Sequence, residues 1–302
     1  MSGSSSKGVA AMICGTALLI GNDAASKYLT EAFPVGQVIC LRQAAALLAM
    51  VPYIVWVSGG ASLRVHAWGR QIARGSMFAV SSALMVTGLS LLPLATVTAI
   101  TFVGPIFVAL MSFPMLGERV NAARWVAIAL GFAGVLIAVR PTSAAFEWAL
   151  LIPLATALAS GARDVMTRQL SRTDTNISIL FVSTGMVMLA GLATIPFGWN
   201  AVSWSAAGWF LVAGTLHAGA NFLMIEAFRL GPAAMIAPFR YTSLLWALII
   251  GFAVWGDVPD PWILAGGMVI VTAGILMLRT AAATAQGRGP MPALDAAVRK
   301  RG

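Results

Sequence analysis

The feature that most constrains this chain is a series of long apolar segments separated by short turns rich in Gly, Pro, Asn or charged residues. A bilayer core about 30 Å thick is crossed by roughly 20 apolar residues in an α-helix. The alternating strands of about ten residues that build a membrane β-barrel do not occur in the sequence. We therefore predict an all-α integral membrane protein with ten transmembrane helices. The predicted spans are residues 8–29, 35–57, 72–91, 95–115, 122–140, 148–168, 176–197, 207–228, 233–254 and 261–280.

The composition excludes a soluble domain of this length. Hydrophobic residues make up 59% of the 302 residues and charged residues 10%, whereas soluble domains carry about 25% charged residues. The net charge of +9 would suggest nucleic-acid binding in a soluble protein. Here the basic residues lie in short loops and the C-terminal tail, so topology explains them better than nucleic acid does.

The basic residues also predict an orientation. With ten spans, the termini and alternate loops share one side, which carries Lys7, Arg64, Arg70, Arg74, Arg119, Arg124, Arg168, Arg172, Arg229, Arg279 and the basic tail. The opposite loops carry Arg140 together with Glu31, Glu147, Asp257 and Asp260. Since cytoplasmic loops are enriched in Lys and Arg, we expect both termini to be cytoplasmic, in a multi-pass protein of the inner (plasma) membrane.

The chain repeats itself. Residues 23–29 (Asp-Ala-Ala-Ser-Lys-Tyr-Leu) match residues 164–170 (Asp-Val-Met-Thr-Arg-Gln-Leu) at an offset of 141. At an offset of 139, seven further positions agree: Gly75, Ala79, Leu84, Met85, Leu91, Pro93 and Ala95 match Gly214, Ala218, Leu223, Met224, Leu230, Pro232 and Ala234. A constant register across several helices, polar residues included, indicates an internal duplication.

Each copy would contain five helices. Because five is odd, the second copy enters the membrane from the opposite side, as in the inverted repeats of many secondary transporters, whose substrate site lies where the halves meet. We predict a first repeat over 1–140, a second, inverted repeat over 141–280 and a flexible basic cytoplasmic tail over 281–302. One sequence in two orientations has two similar packings, one open to each side, which favours alternating access.

Several motifs resemble the EamA family of the drug/metabolite transporter superfamily. Residues 102–105 read Phe-Val-Gly-Pro, residues 116–119 Leu-Gly-Glu-Arg and residues 131–135 Gly-Phe-Ala-Gly-Val. The second half carries a weaker version, with Trp-Gly-Asp at 255–257, and Arg42 also resembles an arginine common in the family. The second half departs from the pattern with Leu244 in place of Pro105 and Asp257 in place of Glu118.

The resemblance covers nearly the whole chain and is strongest to amino-acid exporters of the YddG type. It implies ten helices, cytoplasmic termini and export of small metabolites, often amino acids. Another small metabolite (a nucleobase, vitamin or drug-like compound) is the alternative, and a membrane scaffold that transports nothing is a third reading. The motifs that match are structural and name no substrate ligand.

The first group of candidate substrate-binding residues comes from the third and eighth spans. His217 lies near the predicted midplane, and Asn221 follows one helical turn later on the same face. At the offset of 139 these two correspond to Phe78 and Ser82, and Met85 extends the same face. These five residues form one candidate lining, with hydrogen-bonded packing of His217 as the alternative.

The fourth and ninth spans supply a second group. Arg240 lies about 10 Å into its predicted span, where an ionisable group usually faces a cavity or a partner. Either it lines the cavity or it pairs with Glu226. Thr101 and Phe102 correspond to Arg240 and Tyr241 at the offset of 139, so Phe102, Arg240 and Tyr241 join the candidate list.

The first and sixth spans supply a third group. Asn22 and Asp23 correspond to Arg163 and Asp164. The spacing of Asp23 to Lys27, and of Asp164 to Arg168, suits ion pairs within one helix. In that interpretation Asn22 and Arg163 face the cavity; the alternative is an interfacial pair with no role in transport.

Arg42, about 10 Å below the outer surface, has Ser183 at its repeat position. A charge present in only one copy points to substrate binding or gating, with snorkelling to the interface as the alternative.

The sequence also argues against other classes of protein. A phosphate-binding loop needs a Gly-rich turn followed by Lys, but the lysines are Lys7, Lys27 and Lys300. The two histidines, His66 and His217, have no clustered partners for a metal site or for nucleophilic catalysis. We therefore expect no enzyme, no cofactor and no metal. The partners are a small-molecule substrate and lipid, not nucleic acid; the oligomeric state is left open, and a monomer fits.

Overall fold

The computed structural model describes residues 3–116, 122–140, 147–170, 173–230 and 236–286. Over these ranges the chain forms helices and turns without a β-strand, because an apolar chain in lipid must satisfy its backbone groups internally. The α-helices are α1 (Gly3–Thr30), α2 (Val35–Tyr53), α3 (Trp68–Leu91), α4 (Leu94–Thr101), α5 (Gly104–Leu116), α6 (Ala122–Val139), α7 (Leu151–Leu170), α8 (Asn176–Leu192), α9 (Trp204–Leu230), α10 (Thr242–Trp255) and α11 (Pro261–Gln286).

Helices long and apolar enough to cross a membrane identify a multi-pass membrane protein. Among the described residues, six segments meet this criterion of length and composition: Ser6–Thr30, Val35–Trp56, Trp68–Leu91, Trp148–Thr167, Asn176–Phe197 and Trp204–Ala227. Shorter apolar helices cover Leu94–Val108, Trp125–Val139, Phe239–Trp255 and Pro261–Leu276. α11 continues to Gln286, past the predicted start of the tail at residue 281, and residues 287–302 lie outside the described ranges.

The prediction of one continuous helix over 95–115 is wrong. α4 ends at Thr101, a turn follows at Phe102 and Val103, and α5 starts at Gly104. Pro105 explains the break, because proline lacks the N–H that would bond to the carbonyl of Thr101 and its ring crowds that carbonyl.

The ninth predicted span, 233–254, is also interrupted. Residues 231–235 lie outside the described ranges; a 3-10 turn over Ala237–Tyr241, with Pro238 near its start, then leads into α10. At the offset of 139, Phe102 in the first break corresponds to Tyr241 at the end of this turn. The two interruptions therefore occupy matching places in the two halves.

The two halves pack against each other through matching helix pairs. α1 packs on α9 and α3 on α7; α2 contacts α8 and α9, α3 also contacts α8, and α6 packs on α11. If the halves are exchanged, so that α1 replaces α7, α2 replaces α8, α3 replaces α9 and α6 replaces α11, each of these pairs maps onto itself or another member of the set. The packing thus has the approximate two-fold pattern of the sequence repeat.

Two glycines make this packing possible. A Cβ atom on Gly214 would collide with the Cβ of Ala45, and one on Gly75 would collide with the Sδ of Met186. Gly75 matches Gly214 at the offset of 139, and Ala45 matches Met186 at the offset of 141. Small residues at such crossings let helix backbones approach closely in lipid.

The bundle has two ends, defined by contacts between loops. At the Glu31 end, Trp255 donates from Nε1 to Glu31 Oε1 (2.9 Å), and Arg140 pairs with Asp260 at 2.6 Å. At the His66 end, the backbone N–H of His66 donates to Asp174 Oδ1 at 2.7 Å. α3 runs from the His66 end towards the Glu31 end, since the side chain of Lys27 reaches the carbonyl of Leu92 just beyond its last residue.

Candidate functional site

Polar side chains from α1, α2 and α3 form a buried group around Arg42. The guanidinium donates from Nη1 to Ser26 Oγ and from Nη2 to Ser82 Oγ, each at 3.0 Å. Arg42 is 4% exposed, and the carboxylate of Asp23 lies within its electrostatic range. Asn22 donates from Nδ2 to Asp23 Oδ1 at 3.0 Å. We call Asn22, Asp23, Ser26, Arg42 and Ser82 the Arg42 cluster.

A second polar group lies around Arg74, towards the His66 end. Arg74 donates from Nε to Thr167 Oγ1 at 2.7 Å and from Nη1 to the hydroxyl of Ser183. Arg163 donates from Nη2 to Asp164 Oδ1 at 2.8 Å. The guanidinium carbons of Arg163 and Arg74 lie 5.2 and 6.0 Å from the centroid of the Phe78 ring. The Arg74 cluster comprises Arg74, Phe78, Arg163, Asp164, Thr167 and Ser183.

His217 lies between the two clusters. It occupies the middle of α9, and its ring is within electrostatic range of both Arg42 and Arg163. Asn221 turns back along the same helix and donates from Nδ2 to the carbonyl of His217 at 2.8 Å. The predicted lining of His217, Ser82 and Phe78 therefore joins a single polar zone that runs from one cluster to the other.

Several buried polar atoms in this zone have no hydrogen-bond partner among the described residues. They are Asn22 Oδ1, Arg42 Nε and both ring nitrogens of His217. A buried polar atom without a partner costs about 1–3 kcal/mol, and intramembrane polar residues usually serve a substrate path. These atoms are suited to binding a polar molecule.

The matching breaks form an aromatic contact with each other. The rings of Phe102 and Tyr241 meet edge to face, with centroids 5.0 Å apart. Met85 and Phe102 both pack against the apolar core, so Met85 lies on the core side rather than in a polar group. Arg240 is exposed, and its carbonyl accepts a hydrogen bond from Ser243 at 2.8 Å; it joins neither arginine cluster.

The predicted ion pair between Asp23 and Lys27 is not formed. Lys27 instead donates from Nζ to the carbonyl of Leu92 at 2.8 Å and lies 5.3 Å from the centroid of the Trp255 ring. The carboxylate of Asp23 interacts with Arg42 and Asn22 instead, and the C-terminal end of α3 carries a partial negative charge that favours a cation. Asp164 pairs with its neighbour Arg163; the side chain of Arg168 lies outside the described residues.

Sequence reasoning missed Arg74, Ser26 and Thr167. Arg74 was counted among the charges on the cytoplasmic side, although it is 9% exposed and bonded to α7 and α8. Its position two turns into α3 is a signal that could have identified it. The repeat offers another signal, because Ser26 and Thr167 occupy the same register at the offset of 141.

Two surface cavities lie away from these clusters. One, of about 360 Å³, is lined by residues including Leu92, Arg140, Asp260 and Ile263, and the other, of about 310 Å³, by residues including Glu31 and Trp209. Neither is lined by a predicted site residue. We place the candidate site in the buried polar zone, because the unpaired hydrogen-bonding atoms described above lie there.

Known proteins resemble this chain over most of its length. A riboflavin transporter of Rhizobium johnstonii is 30% identical over 82% of this chain and 82% of its own length. An S-adenosylmethionine uptake transporter of Rickettsia bellii is 24% identical (85% and 88% covered), and a pseudopaline exporter of Pseudomonas aeruginosa is 27% identical (84% and 89% covered).

The fold and the repeat have counterparts too. A solved crystal structure superposes with a TM-score of 0.59 at 17% identity, covering 88% of this chain and 96% of the other, which shows a shared fold. The EamA-like transporter family model matches the chain twice, over residues 6–140 and again over residues 147–280. With nearly its whole length covered by these two matches, the chain belongs to the EamA-like transporter family.

Proposed function

We propose that this protein is a secondary transporter that moves small metabolites across the inner membrane by alternating access. Ten membrane-crossing helices are arranged as two inverted halves, residues 1–140 and 141–280, and the substrate passes through the polar zone between them. Support comes from the two matches to the family model and from helix pairs that map onto one another when the halves are exchanged.

One observation carries this proposal: a polar zone buried between the halves, with hydrogen-bonding atoms that the fold leaves unpaired. Arg42 from the first half, Arg163 and His217 from the second, and the unpaired Asn22 and His217 atoms lie in one region. Polar groups of this kind are expensive in a membrane. A scaffold has no use for them, whereas a transporter uses them to replace the water around its substrate.

Amino acids or similar zwitterions are the substrates that this zone favours. Arg42 and Arg74 offer guanidinium groups to a carboxylate, and Asp23 offers a carboxylate to an ammonium group. The relatives are named for riboflavin, S-adenosylmethionine and pseudopaline, so the family carries varied metabolites. A vitamin or nucleobase is the alternative, favoured by the aromatic pair of Phe102 and Tyr241, on which a flat ring would stack.

The orientation and direction belong to the same proposal. The His66 end carries exposed Arg64 and Arg70, so we place it in the cytoplasm together with both termini. The relatives' names include both uptake and export; export is proposed here from the resemblance to amino-acid exporters.

Flux into vesicles reconstituted with the purified full-length protein tests the proposal. Labelled amino acids, nucleobases and vitamins, including riboflavin, are loaded one at a time, and protein-free vesicles and vesicles with an active control transporter are run in parallel. We expect saturable flux of at least one amino acid. Flux of riboflavin or a nucleobase alone would favour the alternative, and no flux of any compound beside a working control would contradict transport.

A further inference from the structure

We propose that Arg42 and Arg74 are two carboxylate-binding stations on one substrate route, one towards each face of the membrane. This inference rests on the proposed transport function and adds that the carboxylate is bound at two separate places in turn, one near each face. It follows from which hydroxyl groups each guanidinium contacts, where the two arginines lie along their helices, and the charge of the zone between them.

The contacts of the Arg42 and Arg74 guanidinium groups are equivalent in the two halves, which is visible only in three dimensions. Ser26 and Arg42 correspond to Thr167 and Ser183 at the offset of 141. Arg42 donates to Ser26, and Arg74 donates to both Thr167 and Ser183. The Arg74 guanidinium thus occupies in the second half the place that the Arg42 guanidinium occupies in the first. The second half has Ser183 in α8 at the position of Arg42, and α3 of the first half supplies the guanidinium there.

Arg42 and Arg74 lie near opposite ends of the bundle. Arg42 lies seven residues from the first residue of α2, about 10 Å from the Glu31 end at 1.5 Å per residue. Arg74 lies six residues from the first residue of α3, about 9 Å from the His66 end. His217 occupies the middle of α9, thirteen residues beyond Trp204, the first residue of a helix that ends at Leu230. The two guanidinium groups therefore lie at similar depths from opposite ends, with His217 between them.

The Arg42 and Arg74 clusters together carry more positive than negative charge. Within the two clusters, Arg42, Arg74 and Arg163 carry three positive charges, and Asp23 and Asp164 carry two negative charges, which leaves an excess of one positive charge. Arg163 is paired with Asp164, whereas the hydrogen bonds of Arg74 go to neutral hydroxyl and carbonyl oxygens. A carboxylate would neutralise the excess, and a guanidinium binds it through two parallel hydrogen bonds.

The proposed path between the two stations passes Phe78, Arg163 and His217. Phe78 lies beneath the guanidinium groups of both Arg163 and Arg74, so it holds them apart from the apolar core and lines the approach to Arg74. Arg42 Nε has no hydrogen-bond partner among the described residues and stays available to a substrate oxygen. A carboxylate released by one arginine meets His217 and Arg163 before it reaches the other.

Paired acids and amides test the carboxylate directly in the purified full-length protein. Leucine, methionine and phenylalanine are each compared with the corresponding amide, in which a carboxamide replaces the carboxylate. We expect at least one acid to raise the melting temperature of the detergent-solubilised protein, its amide to raise it little or not at all, and the double variant R42K/R74K to lose the response. Equal responses to acid and amide, or none to any acid, would overturn the proposal.

Flux measured from each face tests the two stations separately. In right-side-out and inverted membrane vesicles, R42K is expected to raise the KM about tenfold at the Glu31 face and to change it less than about twofold at the His66 face, as expected for losing one paired hydrogen bond. R74K is expected to do the reverse. R70K, at an exposed position of α3, is the matched control and should change neither KM. Equal shifts at both faces would indicate a structural role and contradict the proposal.

Milder variants keep the test decisive if a lysine variant fails to fold. S82A and S183A remove a hydroxyl that orients each guanidinium. They should produce smaller shifts of KM at the same faces, and symmetric shifts would contradict the stations.

The transport proposal and the two-station proposal fail differently. Acids that stabilise a protein without flux would contradict transport alone, whereas flux of acids and amides with equal KM would contradict the stations alone.

Discussion

At the scale of single residues, the two buried arginines bond to side chains of other helices rather than to neighbours in their own. Arg42 contacts α1 and α3, and Arg74 contacts α7 and α8. Asp174 does the same at the His66 end, where it accepts hydrogen bonds from the backbone and ring of His66 and from Gln71 Nε2. The contacts of Arg42 fix helices within the first half, and those of Arg74 and Asp174 fix the two halves relative to each other.

Asp174 gives a prediction about pH. Burial would raise the pKa of its carboxyl, but the hydrogen bonds from His66, Gln71 and the backbone of Ala67 outweigh burial and lower the pKa below its usual value. Because the pKa is lower in the folded protein, the carboxylate stabilises the fold at pH 7, and this stabilisation is lost only as the pH falls below about 4. D174N should therefore lower the melting temperature at pH 7, at a cost of about 1–3 kcal/mol.

The measurement is a set of melting curves of D174N and wild type at pH values from about 3.5 to about 7.5. The difference between the two proteins should persist down to about pH 4.5 and shrink below it. E147Q, at an exposed position between α6 and α7, is the control and should match wild type. A difference that grows as the pH falls would have the wrong sign for a carboxylate with a lowered pKa.

At the scale of helices, the sequence predicted most segments because apolar runs of about 20 residues leave few alternatives in lipid. The breaks at Phe102 and before Thr242 were missed, since hydropathy does not respond to a lost hydrogen bond; Pro105 and Pro238 carried the information. The register of the repeat makes Phe102 and Tyr241 equivalent positions, and their rings are in contact. It failed for Arg74, because the guanidinium that replaces Arg42 comes from a helix of the other half, which no linear alignment shows.

The break between α4 and α5 gives a prediction for transport. P105L, which introduces the residue found at the matching position 244, should favour a continuous helix, move Phe102 away from Tyr241 and remove most of the flux while the protein still folds. P52A, at an exposed proline near the end of α2, is the matched control and should retain wild-type flux. Initial rates in vesicles at equal protein density check both; unchanged flux in P105L would remove the break from the mechanism.

The crossing of α2 and α9 gives a prediction for stability. In G214V the new side chain meets Ala45 and the backbone of Arg42 and Ala46, and rigid backbone cannot give way, so we expect a loss of about 1–3 kcal/mol or more. G208V, six residues earlier in α9, has no atom within 4 Å of the added Cβ and should leave the melting temperature near that of wild type. Equal melting temperatures of the two variants would show that α2 and α9 do not pack at Gly214.

At the scale of the whole molecule, two similar halves meet around a polar zone. Helix pairs that map onto one another when the halves are exchanged, and collisions at the matching glycines Gly75 and Gly214, describe a molecule with approximate two-fold symmetry. If the halves lie inverted in the membrane, the Arg42 cluster belongs to one face and the Arg74 cluster to the other. Exchange between two such packings would open the polar zone to each face in turn.

The most direct test of this account is the membrane topology of the link between the halves. Single cysteines are placed at residue 143 and at residue 295, in a background in which Cys14 and Cys40 are replaced by alanine, and labelled in intact cells with a reagent that does not cross the membrane. We predict that residue 143 is labelled from outside and residue 295 only after the membrane is opened. Labelling of both sites from the same side would contradict the inverted arrangement of the halves.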